Sequence, residues 1–174
     1  MIYKTITTFN DVEIKLNTLI ICDIDNTILK YKKDYNYFVE LNNQHINNIY
    51  LSHVQAYTDY ELYKANNCYK EIMHTDFDGF NNMINKNNGN IIFLTARHRM
   101  HDQFTRDQLN IIKINDCQIY YTNDDISKGV YIKYNLDLKH YDEIIFIDDQ
   151  DENLQSVNEL NPNIICYKFI INNI

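Results

Sequence analysis

Four carboxylates, a threonine and a lysine stand at the exits of apolar runs, and they are the residues of this chain best placed to do chemistry. The first run, Leu19-Ile20-Ile21-Cys22, leads into Asp23-Ile24-Asp25-Asn26-Thr27-Ile28. Two carboxylates spaced by two residues fall on the same side of an extended chain, about 7 Å apart in backbone rise, and can converge on one ion. Alone, the pair is equally well read as strand-end and turn aspartates. A second run, Ile91-Ile92-Phe93-Leu94, ends in Thr95-Ala96-Arg97. Thr95 suits a helix N-cap, and a capping region is also an anion site. Ser127-Lys128-Gly129 sits in a loop or helix start, where a lysine is by default a solvated charge. The fourth run, Ile144-Ile145-Phe146-Ile147, exits into Asp148-Asp149. Adjacent carboxylates beside a core repel each other unless a cation lies between them. With oxygen donors and no Cys or His at ligand spacing, that cation is expected to be magnesium rather than zinc.

Taken in order, the four strand ends resemble the motifs of the haloacid dehalogenase (HAD) superfamily of phosphohydrolases. The matching residues are Asp23-Ile24-Asp25-Asn26-Thr27, Thr95, Lys128 and Asp148-Asp149. The likeness covers about residues 15 to 30 and 88 to 170. Leu94-Thr95-Ala96-Arg97 and Phe146-Ile147-Asp148-Asp149 are similar to an uncharacterised HAD-like group of intracellular bacteria and large DNA viruses. The fourth residue of the first motif, often Gly in the superfamily, is Asn26 here. The resemblance implies that Asp23 is the nucleophile, forming an aspartyl phosphate. Asp25 would protonate the leaving oxygen and then activate water. Thr95 and Lys128, with Asn26 and Ala96, would hold the phosphoryl group. Asp148 and Asp149, with the Asp23 carboxylate and the Asp25 backbone carbonyl, would hold Mg2+. The physics agrees, because a carboxylate attacking a phosphate dianion needs a divalent cation and an ammonium to offset like charges. Four negative charges then meet three positive ones.

Strands are expected at Thr18 to Ile24, Asn90 to Thr95, Gln118 to Tyr121, Glu143 to Asp148 and Asn163 to Phe169, alternating with segments of helical spacing. That alternation predicts an α/β fold: a Rossmann-like parallel sheet of about five strands with helices on both faces. Met100, Phe104, Leu109, Ile111 and Ile112 suit one helix face, and Leu154, Val157 and Leu160 another. The stretch from Tyr31 does not alternate and reads as an insertion after the first strand. A small helical cap is expected at about 31–75, with its helices over roughly Leu41 to Ile72, and a core at about 1–30 and 76–174. Phe77, Phe80, Met83 and Ile84, stopped by Asn88-Gly89, form the returning crossover helix. The 174 residues make one HAD-like domain rather than two large ones.

Composition sets the outer limits. The abundance of Ile, Asn, Lys and Tyr speaks of a viral or AT-rich genome rather than of function. A net charge of −8 and no basic run longer than Lys32-Lys33 make nucleic acid an unlikely partner except as a strand-end substrate. Apolar runs are far short of a membrane span, and Met1-Ile2-Tyr3-Lys4-Thr5 does not open a secretory signal, so a cytoplasmic location is expected, host cytoplasm or virion if viral. Cys22, Cys68, Cys117 and Cys166 lack metal or redox spacing and are read as reduced, buried thiols. The leading expectation is a magnesium-dependent phosphatase for a small phosphomonoester. The alternatives are a polynucleotide 3′-phosphatase-like enzyme and a non-catalytic HAD-fold binding protein. Arg97-His98-Arg99-Met100-His101 reads either as a specificity patch or as a solvated helix start. Tyr57, Tyr60, Tyr63 and Tyr69 read either as pocket lining or as packing. Substrate identity and oligomeric state are not encoded in any motif.

Overall fold

The computed structural model of the chain describes residues 3–32 and 49–171. Six strands form one sheet: β1 (Lys4–Ile6), β2 (Thr18–Cys22), β5 (Ile91–Thr95), β6 (Gln118–Tyr121), β7 (Glu143–Asp148) and β8 (Ile165–Phe169). Their order is β1-β8-β7-β2-β5-β6, and every neighbouring pair is parallel. The five expected strands are present, trimmed by one or two residues at some ends. β1 escapes apolar-run reading because it is three residues long, at the sheet edge, with only Ile6 buried. The insertion therefore follows the second strand of the chain, not the first.

Parallel strands covered on both faces read as continuous apolar runs, and β2 is buried at all five positions. Its side chains divide by parity. Ile20 and Cys22 join Phe93, Ile145, Ile147, Tyr167 and Phe169 on one face. Leu19 and Ile21 join Ile92, Leu94, Phe146 and Cys166 on the other. The chain leaves β2 to build β5 and β6 on one side, then crosses back to build β7 and β8 on the other. That makes the carboxyl end of β2 a topological switch point, where open α/β sheets bind ligands.

The segment after β2 departs and returns through a two-stranded antiparallel stem, β3 (Leu29–Tyr31) on β4 (Ile72–His74), with Tyr31 opposite Ile72. Helix α1 (Ile49–Asn67) lies between them. The expected start of the cap helices near Leu41 lies outside the described residues. Helix α2 (Phe77–Lys86) is stopped as expected, with Asn88 and Gly89 at positive φ and the Gly89 N–H donating to Ile84 O at 3.1 Å. Helix α3 (Asp102–Ile111) corrects the apolar reading in part: Leu109 and Ile112 are buried as expected, but Met100 and Ile111 are exposed, and Thr105 and Gln108 complete the buried face. Polar Thr105 accepts there from Arg97 Nη1, and Gln108 donates to Cys68 O. Helices α4 (Lys128–Asn135) and α5 (Asp151–Leu160) follow β6 and β7, and Leu154 and Val157 are buried as expected. The four cysteines are free, but only Cys22 and Cys166 are buried, since Cys68 and Cys117 lie beyond helix and strand ends. No described helix is long and apolar enough to cross a membrane.

Where β4 passes into α2, Asp76 gathers the amino-terminal turn. Its Oδ2 accepts from Thr8 Oγ1 (2.7 Å) and from Phe9 N (2.8 Å), while its Oδ1 caps α2 by accepting from Gly79 N. The His74 ring packs edge-on against Phe9 and Phe77 and tilted against Phe80. Its Nδ1 accepts from Asp76 N, and its Nε2 is buried without a partner among the described residues. Burial lowers the His74 pKa to about 4, Asp76 opposing weakly. Between about pH 6.5 and pH 4 the unfolded chain therefore binds the proton and the folded chain does not, so stability falls as pH falls through that window. Denaturant unfolding at pH 7 and pH 5 should show a loss smaller by about 2 kcal/mol in His74→Leu than in the native chain. Equal losses would show that His74 is not held neutral.

Candidate active site

The chain continues past β2 without leaving the core. Asp23 is 5% exposed, and its N–H donates to Ile147 O at 2.9 Å, extending the β2–β7 ladder by one rung. The backbone then turns: Asn26 adopts φ 58°, its N–H donating to Leu29 O at 2.8 Å. This left-handed position suits Gly or Asn, which gives a physical reason for Asn at the variant motif position. Thr27, fully buried, donates through Oγ1 to Asp23 Oδ2 at 3.3 Å. It lies in the first motif, yet spacing alone gave it no role.

Lys128 arrives from the far side of the sheet. After β6, Thr122 N donates to Thr95 O and Asp124 N to Ala96 O, laying the loop along the end of β5. Ser127 then caps α4, accepting from Val130 N. Lys128, the first helical residue and 2% exposed, donates to Asp23 Oδ1 and to Asp148 Oδ2, the latter at 2.7 Å. It is therefore not a solvated charge. α4 comes this close because Gly129 has no side chain: a Cβ there would stand 2.1 Å from Ser156 O on α5. The Gly129 N–H donates to Ser156 Oγ, and Asn161 Nδ2 donates to Gly129 O, locking the two helices.

Asp148 is fully buried and accepts from Gln150 N (2.9 Å) and from Asn153 Nδ2 (3.1 Å to each oxygen). Asn153 is a second residue that sequence reasoning left without a role; its signal was its place one turn into the helix after the Asp pair. Asp149 is partly buried, and its Oδ1 is buried with no hydrogen-bond partner among the described residues. One oxygen each of Asp23, Asp148 and Asp149 lie within 4.8 Å of one another, a group able to hold a metal ion. The Asp25 carboxylate is not in this group. It is taken by Arg97, whose Nε donates to Oδ2 (2.8 Å) and Nη2 to Oδ1 (2.7 Å). Thr95, 1% exposed, accepts from Arg97 N at 3.3 Å.

Asp23, Asp25, Asn26, Thr95, Ala96, Lys128 and Asp149 all line one cleft at the carboxyl edge, and Asp148 lies beneath it. His98, His101 and Tyr57 border the same cleft, whereas Arg97 is neither an open specificity patch nor solvated. Tyr63 is buried and donates to Glu71 Oε2 at 2.7 Å, so it packs. Tyr69 is exposed and edge-on to Phe104, and the Tyr60 side chain lies outside the described residues.

Three carboxylates facing one ammonium leave an excess of negative charge. Burial, augmented by Asp148 and offset in part by Lys128, pushes the Asp23 carboxyl well above the usual carboxylate range. Burial and the Asp148 carboxylate raise Asp149 to about 7. Burial works against the Lys128 ammonium, but Asp23 and Asp148 outweigh it and raise its pKa.

No family model and no curated protein matches this sequence. Among solved structures the chain is similar to one from the "Structure of Pnkp1/Rnl/Hen1 complex", with 15% identity and a TM-score of 0.48. The match covers 94% of this chain and 50% of that one, so this chain spans about half that neighbour's length.

The Gly129 contact makes a direct prediction. Gly129→Ala forces α4 off α5, lowering stability by about 1–3 kcal/mol, as overpacking does, and moving Lys128 from its carboxylates. A lowered midpoint in denaturant unfolding checks this; an unchanged midpoint would mean the helices are not locked there.

Proposed function

We propose that this chain is a magnesium-dependent phosphatase that hydrolyses a phosphomonoester through an aspartyl phosphate on Asp23. One observation carries the reading: a buried Asp23–Lys128–Asp148 bridge beside an Asp149 oxygen with no partner among the described residues. A buried polar atom left unpaired is costly, and three clustered carboxylates with one ammonium form a group able to hold a further cation. The donors are all oxygens, which fits magnesium. Asp23, Asp148 and Asp149, with the Asp25 carbonyl, would hold it. When bound, the ion supplies the positive charge that lets an anionic nucleophile meet an anionic phosphate. The resemblance of the four motifs to the HAD superfamily supports the same assignment.

The chain's own residues then divide the work. Thr27 and Lys128 fix the Asp23 carboxylate, so the attacking oxygen is oriented before substrate arrives. Asp23 attacks phosphorus as the bond to the alcohol breaks. Lys128 and Thr95, with Asn26 and Ala96, hold the phosphoryl oxygens. Asp25, 44% exposed at its side chain, faces leaving group and water and moves protons there. Residues 1–30 and 76–174 act as the catalytic core, and the insertion at 31–75 as a small cap that selects a small phosphorylated metabolite. The setting is the cytoplasm.

Asp23→Asn should lower turnover of an aryl phosphate by about 10³-fold or more while leaving the unfolding midpoint near native. Near-native turnover would remove the assignment. Magnesium should raise the thermal midpoint of the native chain, and Asp149→Asn should shrink that rise. Calcium should bind without supporting turnover, its looser coordination misplacing the attack; chelator-resistant hydrolysis would contradict the metal requirement.

A further inference from the structure

We propose that Arg97 is a positioning residue whose guanidinium fork fixes Asp25 as the base of the hydrolytic half-reaction, in which phosphate is cleared from Asp23. This rests on the phosphatase reading above. The fork is itself held from behind: Arg97 Nη1 donates to Thr105 Oγ1 at 3.2 Å, and Thr105 is fully buried on α3. The guanidinium carbon also stands 5.9 Å from the centre of the Phe104 ring. The Arg97 side chain is 14% exposed against 44% for Asp25, so the arginine is the anchored partner and the carboxylate the presented one. An exposed pair of flexible side chains would be worth little; a forked, shielded one sets the plane of the carboxylate. Each Asp25 oxygen spends one lone pair on the fork and keeps another for a second donor. Asp25 lines the same cleft as Asp23, two residues away.

Arg97 also completes the charge balance. Asp23, Asp25, Asp148 and Asp149 bring four negative charges, and Lys128 with a divalent ion brings three positive ones. Arg97 is the fourth, delivered to the one carboxylate outside the metal group. In the second half-reaction water gives a proton to Asp25 while its oxygen bonds to phosphorus. The phosphorus–oxygen bond to Asp23 breaks, and its electron pair returns to the Asp23 carboxylate. Inorganic phosphate leaves, and the proton passes from Asp25 to solvent. An activated aryl alcohol departs as its anion in the first half-reaction without needing that proton, so Arg97 governs only the second step for such a substrate.

Rapid mixing of the magnesium-loaded full chain with an activated aryl phosphate separates the two steps. Arg97→Gln should release about one equivalent of aryl alcohol per chain in a first phase near the native rate. Its steady-state turnover should fall by about 10²–10⁴-fold, and Arg97→Lys, which keeps the charge without the fork, should recover part of the loss. Slowing without a burst, or unchanged kinetics, overturns the assignment. If Arg97→Gln does not fold, Arg97→Lys carries the test, with a burst followed by slowed turnover expected and its absence overturning. A native chain without turnover, or an active Asp23→Asn, brings down the phosphatase reading and this assignment with it. A burst-free Arg97→Gln beside an inactive Asp23→Asn removes Arg97 alone.

Discussion

A lysine ammonium buried between two aspartates, with a third aspartate beside them, is the constraint on which the rest of this structure depends. Desolvating such charges costs several kcal/mol per ion, and an ion pair rarely recovers that cost in full, so the cluster is no source of stability. It persists because every neighbour restrains it. Thr27 and the β7 backbone hold Asp23, and Asn153 and the Gln150 N–H hold Asp148. What they leave is a group of three carboxylates able to hold a metal ion, with an oxygen of Asp149 that has no donor among the described residues.

The fold exists around that edge in a definite sense. Placing β2 between β5 and β7 brings three strand ends together, and only the reversal of strand order there opens a crevice for a ligand. Lys128 must come from a fourth element. Its arrival depends on α4 lying against α5 closely enough that residue 129 has no room for a Cβ. Packing two helices away from the chemistry thus decides where the ammonium stands.

The sheet strands with continuous apolar runs were legible because full burial writes itself as an unbroken stretch, as in Leu19 to Cys22. The strand at Lys4 to Ile6 was not, since an edge strand with one buried side chain leaves no such stretch. Periodicity found Leu109 and Ile112 on the buried face of α3 but missed Thr105 and Gln108, polar residues whose burial leaves no apolar signal. The residues that meet at the cleft were legible by type and order at strand exits. Their pairings were not: nothing in spacing shows that Arg97 reaches back to Asp25, or that Asn153 and Thr27 complete the shells of Asp148 and Asp23. Such contacts join residues 4 to 72 positions apart and appear only once the sheet edge is assembled.

The central claim is that Asp23 becomes covalently phosphorylated. Acid quenching during turnover of a labelled aryl phosphate, followed by borohydride reduction and peptide mass analysis, reads this directly. The account predicts reduction of Asp23 to homoserine, dependent on magnesium and on substrate. Turnover with Asp23 unreduced, or with the label on another side chain, would contradict it.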